Sequence, residues 1–241
     1  MNILVTGGTS GLGKAVVELL AKDGHHLYFS YLATEAFTAV AKEMERELPH
    51  VTSWPLDFCD EASVVGFCEQ FKAWEIDVLV NCTYVGKPQT TYFHKIPAEE
   101  FLKSFQMNLI PTIRITQAAI EVMKKKKFGK IVNIITEAVM GLPPMGYAIY
   151  ASNKAYLMEL SSAWNKEYTR YHITSNCILP AYMKTGFAEV DERILEQMEN
   201  EHPLKKLLTP EEVAQVVKFF VDAPQQVNGV RMAVNAGTQI I

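Results

Sequence analysis

The amino-acid sequence predicts one α/β domain built on a doubly wound parallel sheet. Three observations support this fold class: short apolar runs alternate with amphipathic segments along all 241 residues, a glycine-rich turn follows the first apolar run, and no repeat or low-complexity linker interrupts the alternation. Such alternation is typical of parallel strands whose crossover helices cover both faces of a sheet. We therefore expect a single domain over residues 1–241.

The first predicted strand, Ile3 to Val5, stops at the sequence TGGTSGLG. Beyond this turn, apolar residues recur at helical spacing. Glycines at this point let the backbone approach a pyrophosphate, and the helix N-terminus supplies N–H groups and a positive dipole. The position between a strand and a helix makes the motif specific, although a purely structural turn is the alternative. The predicted dinucleotide-binding residues here are Gly7, Thr9, Ser10, Gly11, Leu12 and Gly13.

The end of the second predicted strand, His26 to Tyr31, is the position where such a fold selects its cofactor. An acidic residue there binds the ribose hydroxyls of NAD and repels the additional phosphate of NADP. This chain has Ser30 and Tyr31 at that position and no acid until Glu35. The pattern favours NADP(H) over NAD(H) and makes Tyr31 a candidate cofactor contact. However, no arginine or lysine occurs at this position to bind the additional phosphate of NADP.

The third predicted strand, His50 to Pro55, leads to Asp57 just beyond its carboxyl end. An acid at this point can accept a hydrogen bond from the exocyclic amine of adenine. The alternative is a helix N-cap, which suits Asp60 better. The fourth strand, Asp77 to Asn81, ends in the polar Asn81, another candidate cofactor contact.

The remaining elements continue the alternation. One or two helices over Ala98 to Lys125 contain Asn108, and strands follow at Lys130 to Ile135 and Thr174 to Leu179. The charged segment 187–208 is helical in pattern and is expected to form a mobile substrate lid. A helix is predicted at Pro210 to Asp222, and a last strand at Gly229 to Asn235.

The sequence YASNK places Tyr150 and Lys154 on the same face of a helix, one turn apart. A free tyrosine titrates near pH 10, which is too high for effective proton transfer at neutral pH. A nearby ammonium group favours the phenolate and is expected to lower the pKa of Tyr150. The alternative is a packed tyrosine with a lysine nearby by chance.

Composition excludes several classes of function. The chain is 49% hydrophobic and 21% charged with a net charge of -4, so it lacks the basic surface of a nucleic-acid-binding protein. No apolar run is long enough for a membrane helix, and the N-terminus does not resemble a signal peptide. The four cysteines and six histidines lack metal-binding spacing, so we expect no metal site and a cytoplasmic protein with reduced thiols.

With these motifs in this order, the chain resembles the short-chain dehydrogenase/reductase family over essentially its whole length. The layout is most similar to that of the 3-oxoacyl-acyl-carrier-protein reductases. Besides TGGTSGLG and YASNK, the matching segments are VLVN, MNLI, KIVNI and LPAYMKT. The resemblance implies a Rossmann fold and an oxidoreductase that transfers hydride between NADP(H) and a carbonyl or alcohol substrate, such as a 3-oxoacyl thioester or another hydrophobic ketone.

The resemblance also implies roles for individual residues. Tyr150 would exchange a proton with the substrate oxygen, and Lys154 would lower the tyrosine pKa and hold the nicotinamide ribose. Asn108 would shape its helix so that a water links Lys154 to solvent. Thr185 and the backbone near Met183 would bind the nicotinamide carboxamide.

The family's serine after the fifth strand is absent here. Counting from KIVNI places Thr136 in that position, whereas counting back from Tyr150 places Glu137 there. We prefer the strand count, because a loop absorbs one residue more easily than a buried strand slips. Thr136 would then hold the substrate oxygen, whereas a carboxylate there would disfavour ordinary reduction.

The family's Asn-Asn-Ala-Gly after the fourth strand is here Asn81, Cys82, Thr83 and Tyr84. Side chains therefore occupy positions where the family keeps its backbone close to the cofactor. This departure leaves two alternatives open. One is a catalytically impaired protein that binds dinucleotide in a regulatory role, and the other is epimerase or dehydratase chemistry on the same scaffold.

A methionine-rich, adaptable pocket is expected over the nicotinamide. Its predicted lining is Met140, Leu142, Pro143, Met145, Tyr147, Tyr182, Met183 and Phe187. The resemblance further implies a homotetramer or homodimer assembled through residues 100–125 and 150–170.

Overall fold

A computed structural model describes residues 1–88, 91–185 and 191–238. Seven strands form one sheet: β1 (Asn2–Val5), β2 (His26–Tyr31), β3 (Val51–Pro55), β4 (Val78–Asn81), β5 (Gly129–Ile134), β6 (Ile173–Pro180) and β7 (Arg231–Val234). The α-helices are α1 (Gly11–Lys22), α2 (Glu35–Glu47), α3 (Glu61–Phe71), α4 (Ala98–Lys126), α5 (Ala148–Tyr168), α6 (Glu192–Glu201) and α7 (Pro210–Asp222).

The strand order is β3-β2-β1-β4-β5-β6-β7, and every neighbouring pair is parallel. The direction of winding reverses between β1 and β4. In open parallel sheets, ligands bind in the crevice outside the carboxyl ends of the strands at such a reversal. The predicted doubly wound single domain is confirmed, and its topology locates the crevice beside the glycine turn.

Helices cover both faces of the sheet. Ile3 and Val5 face a core formed with α1 and α7, whereas Leu4, between them, faces the opposite core with α3 and α4. This alternation follows from the two-residue period of a strand. Since both faces are buried, β1 and β4 are almost continuously apolar, whereas β5 and β6 also bury polar side chains such as Lys130, Asn133 and Ser175.

One buried lysine links the sheet to α7. The Lys130 side chain on β5 is 6% exposed. Its Nζ donates to the backbone carbonyls of Val221 and Ala223 at 2.5 and 2.6 Å. The ammonium therefore satisfies carbonyls at the C-terminal end of α7, where the helix dipole favours positive charge.

Most strand boundaries differ from the prediction by one or two residues, and the segment predicted as one or two helices is a single helix. Residues 98–126 form one continuous helix despite Pro111, and the Thr112 hydroxyl donates to the Asn108 carbonyl at 2.7 Å in the same turn. Helix α5 begins at Ala148, so Tyr150 lies in its first turn. Strand β7 is shorter than predicted, beginning at Arg231.

The predicted lid at 187–208 lies partly outside the described residues, because 186–190 are not among them. Its described part contains α6, which begins at an Asp191 N-cap and buries Leu195. The mobility of this segment stays a prediction. No helix in the described part of the chain is long and apolar enough to cross a membrane.

Candidate active site

The predicted site residues gather at the carboxyl edge of the sheet. The glycine turn follows β1, Asn81 ends β4, Thr136 lies just beyond β5, and Met183 and Thr185 follow β6. Tyr150 and Lys154 reach the same edge from α5, which packs against β5 and β6. Residues that are distant in the sequence thus face one crevice.

The glycine turn requires glycine at specific points. A Cβ atom on Gly13 would lie 2.0 Å from the Gly7 carbonyl oxygen, so no side chain fits there. Gly7 itself has φ +76, a conformation that other residues rarely adopt. Ser10 precedes α1 at its N-cap position and makes no side-chain cap hydrogen bond. The N-terminal end of α1 is therefore arranged as in other anion-binding turns.

Two threonines pack closely against glycines of the turn. A Cβ on Gly7 would lie 2.8 Å from Thr83 Oγ1, and one on Gly11 would lie 3.1 Å from Thr185 Cβ. The Thr83 hydroxyl oxygen is buried and lacks a hydrogen-bond partner among the described residues. A buried hydroxyl normally has a partner. These features fit a dinucleotide, which the backbone of the turn and the Thr83 hydroxyl would help to hold.

Strand β2 fixes the back of the glycine turn. Ser30 is 2% exposed, and its hydroxyl accepts a hydrogen bond from the Gly7 N–H at 3.2 Å. The Ser30 carbonyl accepts another from Gly8 N at 2.9 Å. The sequence singled out Ser30 only as a missing acid, whereas the structure shows that it holds the turn. Tyr31 is half-buried at the adjacent end of β2.

Asp57 and Asp60 have separate roles in the loop after β3. Asp57 Oδ1 accepts from Cys59 N at 2.8 Å, which closes a local turn. Asp60 Oδ1 accepts from Ala62 N at 3.0 Å and caps α3, as expected from the sequence. The predicted adenine contact at Asp57 stays a prediction.

Asn81 belongs to a polar network inside the sheet. Its Nδ2 donates to Thr116 Oγ1 at 3.1 Å and to Asn133 Oδ1 at 2.9 Å. Asn133 continues the network to Ser175 at 3.1 Å. The Asn81 amide nitrogen therefore ties α4 and β5 to β4, and the predicted cofactor contact at this residue stays a prediction.

Thr136 contacts the catalytic candidate directly. Its hydroxyl is hydrogen-bonded to the hydroxyl of Tyr150 and also accepts from Ala138 N at 3.3 Å. The Glu137 carboxylate instead lies 3.4 Å from the hydroxyl of Thr238 near the C-terminal end of the described chain. The structure thus places the threonine, and not the glutamate, beside Tyr150, in agreement with the strand count.

The environment of Tyr150 contradicts one expectation. Burial raises the pKa of the Tyr150 phenol well above its ordinary value, and the hydrogen bond from Thr136 only partly opposes this effect. Lys154 Nζ lies 6.0 Å from the Tyr150 ring centroid and donates to the Ile134 carbonyl at 2.7 Å. The expected lowering of the Tyr150 pKa is therefore wrong for the protein without cofactor, because burial of the phenol dominates that pKa.

Lys154 itself is buried at 5% exposure. Burial lowers the pKa of its amine to about 8, while the Cys82 and Cys177 thiols oppose this shift. A neighbouring aromatic face supports the charge, since Nζ lies 5.3 Å from the Tyr84 ring centroid. The amine is thus poised to change its charge just above neutral pH.

Asn108 clamps the loop after β4. Its Oδ1 accepts from Val85 N at 2.6 Å, and its Nδ2 donates to the Val85 and Ser104 carbonyls, both at 3.1 Å. The backbone carbonyl of Asn108 accepts from Thr112. The side chain therefore shapes the loop and the helix, while the predicted water relay to Lys154 stays a prediction.

A cavity of about 180 Å³ reaches Tyr150 from the β4–α4 side. Its lining comprises Tyr84, Val85, Gly86, Lys87, Pro88, Glu100, Lys103, Ser104, Met107, Asn108, Ile149 and Tyr150. Of the predicted substrate-pocket residues, those that the structure describes do not line this cavity. Leu142 and Met145 are 93% and 66% exposed, and Phe187 lies outside the described residues. Met183 pairs with Leu208 in an isolated parallel bridge instead.

Comparison with known proteins identifies the family. A family model described as "Enoyl-(Acyl carrier protein) reductase" matches residues 7–239. The 3-oxoacyl-(acyl-carrier-protein) reductase FabG of Thermotoga maritima is 29% identical over 242 residues, with 98% of this chain and 97% of that protein covered.

Two further relatives agree. A very-long-chain 3-oxoacyl-CoA reductase-like protein of Arabidopsis thaliana is 32% identical over 186 residues, which span 76% of this chain but only 59% of that protein. A solved structure of a "short chain dehydrogenase/reductase family protein" has a TM-score of 0.84 at 28% identity and covers 98% of this chain and 96% of that one. The glycine turn, the Tyr150–Lys154 pair and these matches together show that this chain belongs to the short-chain dehydrogenase/reductase family of oxidoreductases.

Proposed function

We propose that this chain reduces a carbonyl compound to an alcohol with NADPH, in a reaction that is reversible at high pH. The observation that carries the proposal is the hydroxyl pair of Thr136 and Tyr150 at the carboxyl edge of the sheet, beside the buried Lys154. The bound dinucleotide would supply the hydride. The protein would then have to orient the carbonyl and deliver one proton to its oxygen.

Tyr150 is suited to proton donation. Because burial raises the pKa of its phenol, Tyr150 remains protonated at neutral pH. Thr136 would hold the substrate oxygen next to that proton and stabilise the charge that develops on it. Lys154 would compensate the phenolate left behind and bind the nicotinamide ribose. Oxidation of the alcohol would need the phenolate and should therefore require a more alkaline solution.

NADP(H) is preferred in this proposal for two reasons. No acid in the described structure occupies the end of β2, where Ser30 is engaged with the glycine turn and Tyr31 follows it. The second reason is the similarity to the Thermotoga relative, which is named a 3-oxoacyl-(acyl-carrier-protein) reductase and is covered over 97% of its length. That relative also supports a 3-oxoacyl thioester, or another hydrophobic ketone, as the substrate class. A cytoplasmic location is part of the same expectation.

A homodimer or homotetramer through α4 and α5 is a further part of the proposal. Leu102 on α4 and Tyr156 on α5 are 59% and 46% exposed, and Tyr156 packs edge-on against Phe105. Apolar surface of this kind on two adjacent helices favours association. Light scattering of the purified protein would test this expectation, and a monomer at micromolar concentration would contradict it.

The proposed reaction is tested by NADPH oxidation with a panel of 3-oxoacyl thioesters and simple ketones. We expect Tyr150→Phe to reduce kcat about 10²- to 10⁴-fold while the Kd for NADPH changes less than about twofold, because only proton transfer is lost. Tyr156→Phe, an exposed tyrosine on the same helix, serves as the control and should retain full activity.

Other outcomes would select the alternatives. NADPH binding without oxidation by any substrate would favour a regulatory dinucleotide-binding protein. Product formation without net consumption of the dinucleotide would favour epimerase or dehydratase chemistry. Equal losses of binding and turnover in Tyr150→Phe would contradict the proton-transfer role.

A further inference from the structure

Tyr84 stands at a point where the family resemblance places glycine, and its ring reaches the centre of the site. The Tyr84 and Tyr150 ring centroids are 4.9 Å apart with planes at 79°. Tyr147 contacts Tyr150 in the same edge-to-face manner, with a centroid distance of 5.7 Å. Edge-to-face contact is a favoured aromatic geometry. The Tyr150 ring is therefore held by one ring from the β4 loop and another from its own helix.

The same ring faces Lys154. Nζ lies 5.3 Å from the Tyr84 ring centroid, within the range of cation–π attraction. The titratable groups that act on Lys154 from the other elements are the Cys82 thiol, next to β4, and the Cys177 thiol on β6. Neither thiol supplies a full negative charge at neutral pH, because burial raises the pKa of both. The ammonium donates to the Ile134 carbonyl at 2.7 Å, and the Tyr84 ring adds a second favourable electrostatic contact from the loop after β4.

Tyr84 is itself fixed on every side. Its hydroxyl lies 3.5 Å from Ser104 Oγ on α4 and 3.5 Å from Asn153 Nδ2 on α5. Asn153 Nδ2 also donates to Ser104 Oγ at 2.9 Å, which joins the two helices. On either side of Tyr84 in the chain, Thr6 Oγ1 accepts from Thr83 N at 3.1 Å and Asn108 holds Val85. A ring anchored in this way is a platform with little freedom to move.

We propose that Tyr84 is a positioning residue, whose ring holds Tyr150 in its reactive orientation and keeps Lys154 charged inside the protein. This inference rests on the proposed reductase function. The ring performs both tasks, whereas the hydroxyl points to Ser104 and Asn153 and serves only as an anchor. Tyr84 is therefore not a second proton donor.

Three proteins test the proposal: wild type, Tyr84→Phe, which keeps the ring, and Tyr84→Leu, which keeps an apolar group but removes the aromatic face. The pKa of Lys154 is measured by NMR of selectively ¹³C-labelled lysine, with the Lys154 signal assigned through Lys154→Met. This readout does not require turnover, so it separates the inference from the proposed reaction. Thermal unfolding of each variant reports any general loss of packing.

We expect Tyr84→Leu to lower the pKa of Lys154 by about 0.5 to 1 unit, because a desolvated ammonium loses its aromatic partner while remaining buried. Tyr84→Phe should leave that pKa unchanged. In NADPH oxidation, Tyr84→Leu should reduce kcat about 10- to 100-fold with KM changed less than threefold, and Tyr84→Phe should retain at least a third of wild-type kcat.

An unchanged pKa of Lys154 in Tyr84→Leu would overturn the inference, whether or not the protein is an active reductase. A fall in unfolding temperature alone would show that Tyr84 only packs. Equal losses of activity in Tyr84→Phe and Tyr84→Leu would show that the hydroxyl of Tyr84, and not its ring, is needed. If the wild type oxidises no NADPH but the pKa shift is observed, the reductase proposal falls and the support of Lys154 by Tyr84 stands.

Discussion

The two walls of the crevice are built on opposite principles. The turn after β1 approaches the ligand space with bare backbone, and at Gly13 even a methyl group would overlap the Gly7 carbonyl. The loop after β4 instead presents Cys82, Thr83 and Tyr84, held from behind by the Thr6 hydroxyl. The first wall is the proposed binding site for the dinucleotide backbone. The second wall differs from the sequence pattern of the family. We therefore expect properties that are specific to this protein to depend on the side chains of the second wall.

The largest effect, on NADPH binding, is expected in the glycine turn after β1. Gly13→Ala should weaken NADPH binding by at least about 100-fold, because the new Cβ would meet the Gly7 carbonyl oxygen at 2.0 Å and force the turn open. Fluorescence titration with NADPH measures this change.

Gly66→Ala is the matched control. Gly66 lies within α3, and nothing lies within 4 Å of its added Cβ. This variant should bind NADPH normally and be more stable by roughly 0.5 to 1 kcal/mol. Normal NADPH binding by Gly13→Ala would show that the turn after β1 does not need bare backbone to bind the dinucleotide.

An intermediate effect is expected for the buried ammonium of Lys154, which lies beside the loop after β4. The pKa of Lys154 is about 8 in the folded protein, against an ordinary value of 10.5 for a lysine in water. The folded state binds fewer protons than the unfolded state between these values, so wild-type stability should rise with pH from about 8 to 10.5. Below pH 8 the buried charge costs about 3 kcal/mol.

Lys154→Met should therefore be more stable than wild type at pH 7, by about 1 to 3 kcal/mol, since it removes the buried charge but also the hydrogen bond to Ile134. Urea unfolding at pH 7 and pH 9.5 measures the difference, which should shrink at the higher pH. Lys166→Met, on the exposed side of the same helix, should show neither effect. A wild-type protein that loses stability between these pH values relative to Lys154→Met would refute the expectation.

The smallest effects are expected at two threonines of the crevice, whose substitutions should change stability in opposite directions. Thr83→Val removes a buried hydroxyl without a partner, so it should stabilise the protein by about 1 kcal/mol while weakening NADPH binding about 3- to 10-fold. Thr6→Val should instead destabilise it by about 1 to 3 kcal/mol, because the N–H groups of Cys82 and Thr83 lose their acceptor.

Chemical denaturation and fluorescence titration of both valine variants provide the two readouts. Opposite signs in stability are the signature of a hydroxyl reserved for a ligand at Thr83. Destabilisation by Thr83→Val, or unaltered NADPH affinity, would show that its hydroxyl does not serve the dinucleotide.

Most of the fold could be predicted from the sequence, because strand and helix periods and the glycine turn are local signals. The strand count even placed Thr136 beside Tyr150 correctly. The pKa direction at Tyr150 could not be predicted, since it depends on burial by Tyr84 and Tyr147, which comes from tertiary packing. The sequence likewise marked Tyr84 as a departure from the family motif. The direction of its ring could not be predicted, because it is not determined by the neighbouring sequence.

The core shared by α1 and α7 has a consequence for how the chain reaches its native state. These helices pack together on one face of the sheet, and Lys130 anchors the end of α7. Since α7 is far downstream of α1, a ribosome must deliver nearly the whole chain before that face can close. Until then, the part of α1 that contacts α7 stays uncovered, and a nascent chain stalled before Pro210 should be a substrate for chaperones and proteases.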